Sequence, residues 1–420
     1  VIRFTFISNR SNRTAIASLL AALEDVVEDP GVSLRVVKGE DPGALDFETS
    51  PEVSEVLCLS AMTADAAAAV EMHRRLRQKW GRVFTSVAGG AGPSGDPAEF
   101  LRAGIDYCCV GEGEEVVRAV CRSRGRAESL GVVRGLFSLD GGKPVGVKAA
   151  PIDLARFKAL PERNKFPTYI EIGRGCCWGC SYCQTPQIHG GLERYRSPAQ
   201  VEGTVARYAD FGMRDFRFLL PNALGYLSDA PGVPNCAALE ELLARSRAAC
   251  REGRLFLGSF PSEVRPDYVS EEALAVLREY VSNAGLVIGG ESGSEEILAR
   301  LGRGHGVEAT RSAARMALAS GFSVSVDLVV GFPGETPLER ALTLDLVEEL
   351  GKTGAVSNMH FFMPLPGTAL QGCAPVFLSD EERRRFDRMG QRGILRGKWR
   401  RQEATARKLM EKRWRRGPSR

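Results

Sequence analysis

The chain has 420 residues, 44% of them hydrophobic and 26% charged, and reads as a soluble globular protein too long for one ordinary domain. No apolar run reaches the ~18 residues of a transmembrane helix, and the strand-like opening from Val1 to Ser8 lacks the pattern of a signal peptide. Cysteines number 11, an odd count that argues against a disulfide framework and for a reducing cytoplasm, the expected compartment.

Residues 1–140 alternate strand-like runs (2–8, 33–38, 53–60, 82–88, 106–110) with helix-like stretches (14–27, 64–79, 97–103, 114–123). Short apolar runs alternating with helices predict an open, doubly wound parallel sheet of flavodoxin or Rossmann type. Ligands of such sheets sit at the carboxyl ends of the strands, here the loops at 8–10, 60–63 and 89–95. Glycines in Ala88-Gly-Gly-Ala-Gly-Pro-Ser-Gly-Asp-Pro97 permit close backbone approach to a bulky ligand. Gly111-Glu-Gly-Glu114 fails as a dinucleotide loop, because a third glycine is missing and its acids would repel a pyrophosphate. Gly351-Lys352-Thr353 fails as a P-loop, with Leu346 where the first glycine belongs.

Residues 141–167 read as a linker, with a hairpin turn at its start in Asp140-Gly-Gly-Lys-Pro144. Strand-like runs then recur at 168–174, 214–220, 254–259, 285–290, 322–330 and 355–362. Six β/α units predict a partial barrel over 168–372, with active-site residues at the C-terminal ends of its strands. The tail, 373–420, is basic: residues 381–420 hold 16 Lys+Arg against 5 Asp+Glu, a balance of +11 within a net +4. Such a tail can follow a phosphate backbone. Trp399, Leu409, Met410 and Trp414 interleave with its charges, however, as on a packed helix whose long side chains cover a neighbouring surface.

The first barrel strand runs into Gly173-Arg-Gly-Cys-Cys-Trp-Gly-Cys-Ser-Tyr-Cys183, where Cys176, Cys180 and Cys183 form C-x3-C-x2-C. A structural zinc site usually carries four ligands in two separated pairs, and no second C-x2-C or H-x3-5-H occurs in the chain. Three thiolates suit instead a four-iron cluster with one iron left open. Cys177 breaks the spacing, and His189 reads as a solvated loop histidine. Arg174 can pair with a cluster or merely cap its loop.

This spacing, with Tyr182 before the last cysteine, resembles the signature of the radical S-adenosylmethionine (SAM) enzymes. Further motifs at strand ends support the resemblance: Glu291-Ser-Gly-Ser294 after strand four, Gly331-Phe-Pro-Gly-Glu-Thr336 after strand five, and Met363-Pro-Leu-Pro-Gly-Thr368 after strand six. They are similar to those of the methylthiotransferase-like and cobalamin-linked groups. The resemblance implies a 4Fe-4S cluster on the three cysteines, whose open iron chelates SAM. It also implies SAM contacts from Tyr182, Asn222, Ser262, Glu263, Arg265, Glu291, Ser292, Arg303 and Val329. Asn222 stands where many relatives carry Gly-Gly-Glu. Residues 1–140 resemble the cobalamin-binding domain ahead of many radical SAM domains, implying contacts from Ser60, Ala61, Thr63, Gly89, Gly90, Gly92, Ser94, Gly111 and Glu112. The Asp-x-His-x-x-Gly motif of cobalt-ligating relatives is absent, and Gly92 falls where relatives often carry histidine; a flavodoxin-like domain without ligand is the competing reading.

The implied activity is reductive cleavage of SAM to a 5′-deoxyadenosyl radical for cobalamin-dependent methylation of an unactivated carbon, with an electron donor such as ferredoxin or flavodoxin. The alternatives are a cobalamin-independent rearrangement, oxidation or sulfur insertion, including methylthiolation, or a non-catalytic protein that binds metal or nucleic acid. A second cluster, as in a methylthiotransferase proper, is not expected, because residues 1–140 lack three well-spaced cysteines. No residue is singled out as catalytic, and the substrate, small or macromolecular, is not legible.

Overall fold

The computed structural model describes residues 1–39 and 45–414. In strand β1 (Ile2–Ser8) Ile2, Phe4, Thr5 and Phe6 are all but inaccessible, the near-continuous burial of a strand covered on both faces. It pairs in parallel with β2 (Val32–Lys38) on one side and β3 (Ser54–Ser60) on the other. β4 (Phe84–Gly89) and β5 (Tyr107–Cys109) extend the parallel set. β6 (Leu136–Asp140) and β7 (Lys143–Gly146) close it as an antiparallel hairpin, running past residue 140. The strand order β2-β1-β3-β4-β5-β6-β7 reverses direction between β1 and β3, so the crevice beyond their carboxyl ends is the natural ligand site.

The second unit is an arc of parallel strands. β8 (Ile170–Glu171) continues after Ile172 into β9 (Gly173–Arg174), which pairs antiparallel with β10 (Arg194–Tyr195). β8 pairs with β11 (Asp215–Leu219), and β11 with β12 (Arg254–Phe256). β13 (Gly285–Glu291), β14 (Ser323–Val330) and β15 (Val356–Phe361) follow in parallel. The run expected to reach residue 259 stops at Phe256 because the chain turns at Gly258, where φ is +80°; Val264 then takes over the pairing to Ile288. Six β/α units therefore form a partial barrel. Capping boxes at Ser197 and Thr336, each followed by proline, start the helices Pro198–Asp210 and Pro337–Thr353 sharply.

Two local expectations change, and the tail takes the packed form its apolar residues pointed to. The helix expected over 14–27 spans Arg13–Ala22, with a separate 3-10 turn at Val26–Glu28. The glycine-rich run at 88–97 is not all loop: Ala91–Gly95 coils into a helical turn, and Asp96 caps the next helix, Pro97–Arg102. Pro93 is tolerated there because the first turn of a helix has no use for its N–H. The basic tail is no free arm over its described length. Its helices Asp380–Gln391 and Trp399–Trp414 bury Phe386, Met389, Trp399 and Ala406. Between them β16 (Leu395–Arg396) joins β15 as a further parallel strand. Arg383 pairs with Glu403 at 2.7 Å, and Glu382 with Arg340 at 2.6 Å. The tail's last residues, 415–420, lie outside the described residues. No described helix is long and apolar enough to cross a membrane.

Candidate active site

The three cysteines lie on the loop between β9 and the short helix Thr185–His189. The loop is fastened on two sides: Ser181 N–H donates to the Leu301 carbonyl at 3.0 Å, and Leu370 N–H to the Ser181 carbonyl at 3.2 Å. Cys180 is buried, and Cys176 and Cys183 half-buried. Burial pushes the Cys176 thiol up to about 11 and the Cys183 thiol upward as well, so the thiols are protonated until a metal's positive charge draws the protons off. Among the described residues no three His, Cys, Asp or Glu side chains converge tightly enough to hold a single metal ion. A tetrahedral zinc site takes four converging ligands; a donor set of three soft thiols on one loop fits an iron–sulfur cluster. Cys177 is exposed and turned away, its N–H pointing to Glu193.

Behind the cysteines, Arg303 is a hub. Its Nη1 donates to Tyr182 OH at 3.4 Å and contacts Cys180 Sγ at 3.8 Å, its Nη2 donates to the Gly289 carbonyl at 2.8 Å, and Glu291 pairs with it at 3.4 Å. Glu291 sits on a bulge in β13 with φ +64°, a conformation costing roughly 1–3 kcal/mol in a non-glycine residue and typical of ligand sites. A Cβ on Gly289 would stand 3.3 Å from Arg303 Nη2, 3.4 Å from Glu291 Oε1 and 3.7 Å from Glu263 Oε2. Three expected residues therefore meet at one glycine. Glu263 lines a cavity of about 340 Å³ at the barrel mouth, and its carboxyl has no hydrogen bond or ion pair with a described residue. Glu263 is exposed at this mouth, yet the protein packed around it, then Asp327 and Glu291, pushes its carboxyl upward, to about 8. Tyr182 packs its ring 5.8 Å from Phe332, in an apolar cluster that also holds Val329 and Phe362.

Other expected contacts face protein groups. Ser262 Oγ donates to the Phe218 carbonyl at 3.0 Å, and Asn222 Oδ1 accepts from Arg265 N–H at 3.1 Å. Arg265 stacks on Trp178 at 3.6 Å, pairs with Asp267 at 3.0 Å and donates to the Arg303 carbonyl at 2.6 Å. Its place is to brace the cysteine loop against the Arg303 turn. Ser292 is fully buried against Thr343, and Ser294 caps the helix Glu295–Leu301. Sequence reasoning left Asp327 without a role. It accepts from Asn358 at 3.0 Å, and His360 stands 3.4 Å away, raised by that carboxylate.

A larger cavity of about 410 Å³ opens between the two units at the β1/β3 switch point. Ser60, Gly89, Gly90, Gly111 and Glu112 line it, as expected. Its floor is apolar, with Phe4, Phe6, Val56, Val117 and Val120. Gly90 has φ +96°, and a Cβ there would meet the Ala61 carbonyl at 2.8 Å, so only glycine lets this loop fold back. The remaining loop residues support the wall from behind. Ala61 N–H donates to the Gly89 carbonyl, Gly92 N–H to the Ala61 carbonyl, Ser94 Oγ accepts from Gly111 N–H at 3.1 Å, and Thr63 Oγ1 donates to Gln184 Oε1 at 3.0 Å.

The barrel supplies the opposite wall. Glu171, Arg174, Thr185, His189 and Leu219 line both cavities. Arg174 does not face the cysteines: it is buried in pairs with Glu171 at 2.6 Å and Glu114 at 2.7 Å. Glu112 accepts from Arg194 at 2.6 Å, from Ile152 N–H at 2.7 Å, and lies 3.0 Å from His189 Nδ1. Burial works to raise its pKa, but Arg194, His189 and Arg174 outweigh that and hold it well below the usual carboxylate range. The acids of Gly111-Glu-Gly-Glu114 thus clamp the barrel's arginines. Sequence reasoning refused that run as a dinucleotide loop and expected cobalamin contacts from Gly111 and Glu112, but missed Arg194, Glu114 and Gln184. Gln184, next to Cys183, donates to the Ala91 carbonyl at 3.3 Å and the Pro366 carbonyl at 2.8 Å.

Residues 170–347 match the model of the Radical SAM superfamily, and residues 47–121 that of the B12 binding domain. Among curated proteins, the chain is 31% identical over 221 residues to the tRNA-2-methylthio-N(6)-dimethylallyladenosine synthase of Saccharophagus degradans, covering 51% of this chain and 47% of that protein. The enzyme of the same name from Ralstonia nicotianae is 32% identical over 221 residues, covering 51% and 47%. The chain thus spans about half the length of these relatives. Among solved structures, the radical S-adenosylmethionine methyltransferase TsrM from Kitasatospora setae, with cobalamin and a [4Fe-4S] cluster bound, superposes with a TM-score of 0.66 at 18% identity, covering 88% of this chain and 74% of that one. The cobalamin-dependent S-adenosylmethionine radical enzyme OxsB gives 0.65 at 15% identity, over 94% and 56%. At these identities the likeness is one of fold.

Proposed function

From the premise that the chain is a radical SAM superfamily protein carrying a B12-binding domain ahead of its barrel, we propose that it is a cobalamin-dependent radical SAM methyltransferase acting on an unactivated carbon. The observation that carries this reading is the pair of cavities with a common wall: one at the barrel mouth beside the cysteine loop and Glu263, the other at the switch point of the first sheet. Cys176, Cys180 and Cys183 would hold the cluster. Glu263, Glu291 and Arg303 would hold SAM, whose sulfonium and ammonium charges suit a surplus of carboxylates and whose carboxylate suits a guanidinium. Ser60, Gly89, Gly90 and Gly111 would hold cobalamin against the apolar floor. When bound, these groups supply an electron that splits SAM to a carbon-centred radical, and a methyl carrier. The chain's own part is positioning: Arg303 ties the cysteine loop to β13, and the Glu112–Arg194 clamp sets the distance between the cavities.

Sulfur insertion, including methylthiolation, is the second reading, favoured by the 31% identity to a methylthio synthase. Anaerobic reconstitution with iron and cobalt analysis and a 5′-deoxyadenosine assay separates the two. The first reading expects retained cobalt and SAM-dependent 5′-deoxyadenosine; iron and SAM cleavage without cobalt retention under saturating cobalamin would overturn it in favour of the second. Zinc, or no metal, with no SAM cleavage would overturn both.

A further inference from the structure

Of the chain's 4 histidines, three are committed to protein partners. His73 Nε2 bonds Ser86 Oγ at 3.1 Å, His305 Nε2 accepts from Arg303 at 3.2 Å, and His360 has Asp327, Asn358 and Gln402 around its ring. His189 differs. Its Nδ1 faces Glu112 at 3.0 Å, its backbone carbonyl accepts from Arg194 at 2.9 Å, and its Nε2 has no partner among the described residues. The ring is 29% exposed and lies on the wall common to both cavities.

The pairing fixes the imidazole chemically. Glu112, paired with Arg194 and Arg174, accepts from Nδ1–H, which leaves Nε2 as the ring nitrogen open to the cavity. This is the second-shell arrangement that orients and strengthens a metal-ligating histidine. The other potential donors in the interdomain cavity are unsuited. Cys109 is buried in the sheet with its Sγ turned to the Glu112 carbonyl at 3.9 Å, and burial pushes both its thiol and that of Cys58 upward. Glu112, Glu114 and Glu171 are consumed by arginines. The sheet-side loop cannot supply an imidazole at Gly92, where a Cβ would already crowd Phe100 at 3.1 Å and the Ala61 carbonyl at 3.3 Å.

Resting on the cobalamin reading above, we infer that His189 coordinates the cobalt of resting, unmethylated cobalamin through Nε2, from the barrel side of the cavity and with Glu112 as its positioning carboxylate. Nε2 would supply a neutral nitrogen donor to the unmethylated cofactor, and Glu112 would hold the ring in place for it.

The test uses the full chain with its cluster in the diamagnetic oxidised state, loaded with cob(II)alamin and read by electron paramagnetic resonance. Protein grown on nitrogen-15 histidine is compared with unlabelled protein. The label resides in the protein and not in the cofactor's own base, so nitrogen splitting that changes from triplets to doublets on labelling marks histidine ligation. His189→Gln should retain cobalt and lose the label-sensitive splitting. Stoichiometric cobalamin with spectra identical in labelled and unlabelled protein would overturn the inference and leave the function standing. Label-sensitive splitting that persists in His189→Gln would overturn the assignment to this residue. Failure to retain any cobalamin would overturn both inference and function.

Discussion

The seam between the two units and the interior of the barrel are both rich in buried charge, and they treat it in opposite ways. In the seam the three carboxylates that line the cavity each have a cation: Glu112 with Arg194, Glu114 and Glu171 with Arg174. In the barrel the buried Glu291 and Asp327 have Arg303 and His360 beside them, while Glu263, exposed at the mouth, has no direct partner among the described residues. A matched set of buried charges holds two bodies in register. An unmatched carboxyl open to a cavity is a place for a cationic ligand, and SAM is such a cation.

The largest effect should come from the cysteines that anchor this arrangement. Cys180→Ala is expected to abolish cluster retention and lower 5′-deoxyadenosine formation by about three orders of magnitude or more, the scale of losing an essential group. Cys177→Ala should leave both unchanged, which iron analysis and the same assay check. Next come the two sides of the comparison. Arg174→Met leaves Glu114 and Glu171 buried without a cation and should cost about 3–5 kcal/mol in denaturant unfolding. Glu263→Gln should not destabilise the fold, because it removes repulsion with Asp327 and Glu291, yet should weaken SAM binding roughly tenfold, about 1.4 kcal/mol. If Glu263→Gln destabilised the protein as much as Arg174→Met, the distinction between seam and site would collapse.

The two regions should also titrate with opposite sign. Glu112, held low when folded, favours folding above the ordinary carboxylate range, and that contribution is lost as pH falls through its depressed value. Glu263, pushed up to about 8, binds more protons folded than unfolded between its ordinary value and pH 8, so its contribution declines as pH rises through that window. SAM should accordingly bind more tightly as pH rises toward 8, with proton release, and Glu263→Gln should remove that dependence. Isothermal calorimetry in buffers of differing ionisation enthalpy measures both.

Much of the barrel was legible because its signals are local. Cysteine spacing, the Glu291-Ser-Gly-Ser294 turn and strands of regular spacing need no knowledge of distant partners, and the first sheet follows from short apolar runs. What stayed illegible depends on which residues meet across 60 or more positions of sequence, as Arg174 and Glu114 do. Gly111-Glu-Gly-Glu114 lacks a third glycine, and its acids needed the barrel's arginines in view before they read as a clamp. His189 looked like a solvated loop residue because Glu112 lies 77 positions away. Asn222, Ser262 and Arg265 hold expected positions at strand ends, yet their side chains face inward to backbone and Trp178. Position along a strand is written in the sequence, whereas side-chain direction after an irregular turn is set by tertiary packing.

The smallest effect concerns the tail, whose charge allowed a nucleic-acid arm but whose interleaved apolar residues favoured a packed helix. Gln402, on the helix Trp399–Trp414, accepts from Phe361 N–H at 3.1 Å and places its Nε2 3.1 Å from His360 Nδ1. The tail thereby closes the last barrel strand and holds the imidazole that faces Asp327. Gln402→Leu keeps the volume but leaves Phe361 N–H unpaired, costing about 1 kcal/mol. It should also free the His360 ring to turn away from Asp327. That second consequence is the sharper one: a nuclear magnetic resonance titration of His360 should show its pKa falling from its raised value in Gln402→Leu. An unchanged titration would mean that Asp327 and Asn358 suffice to orient the ring and that the tail contributes packing only.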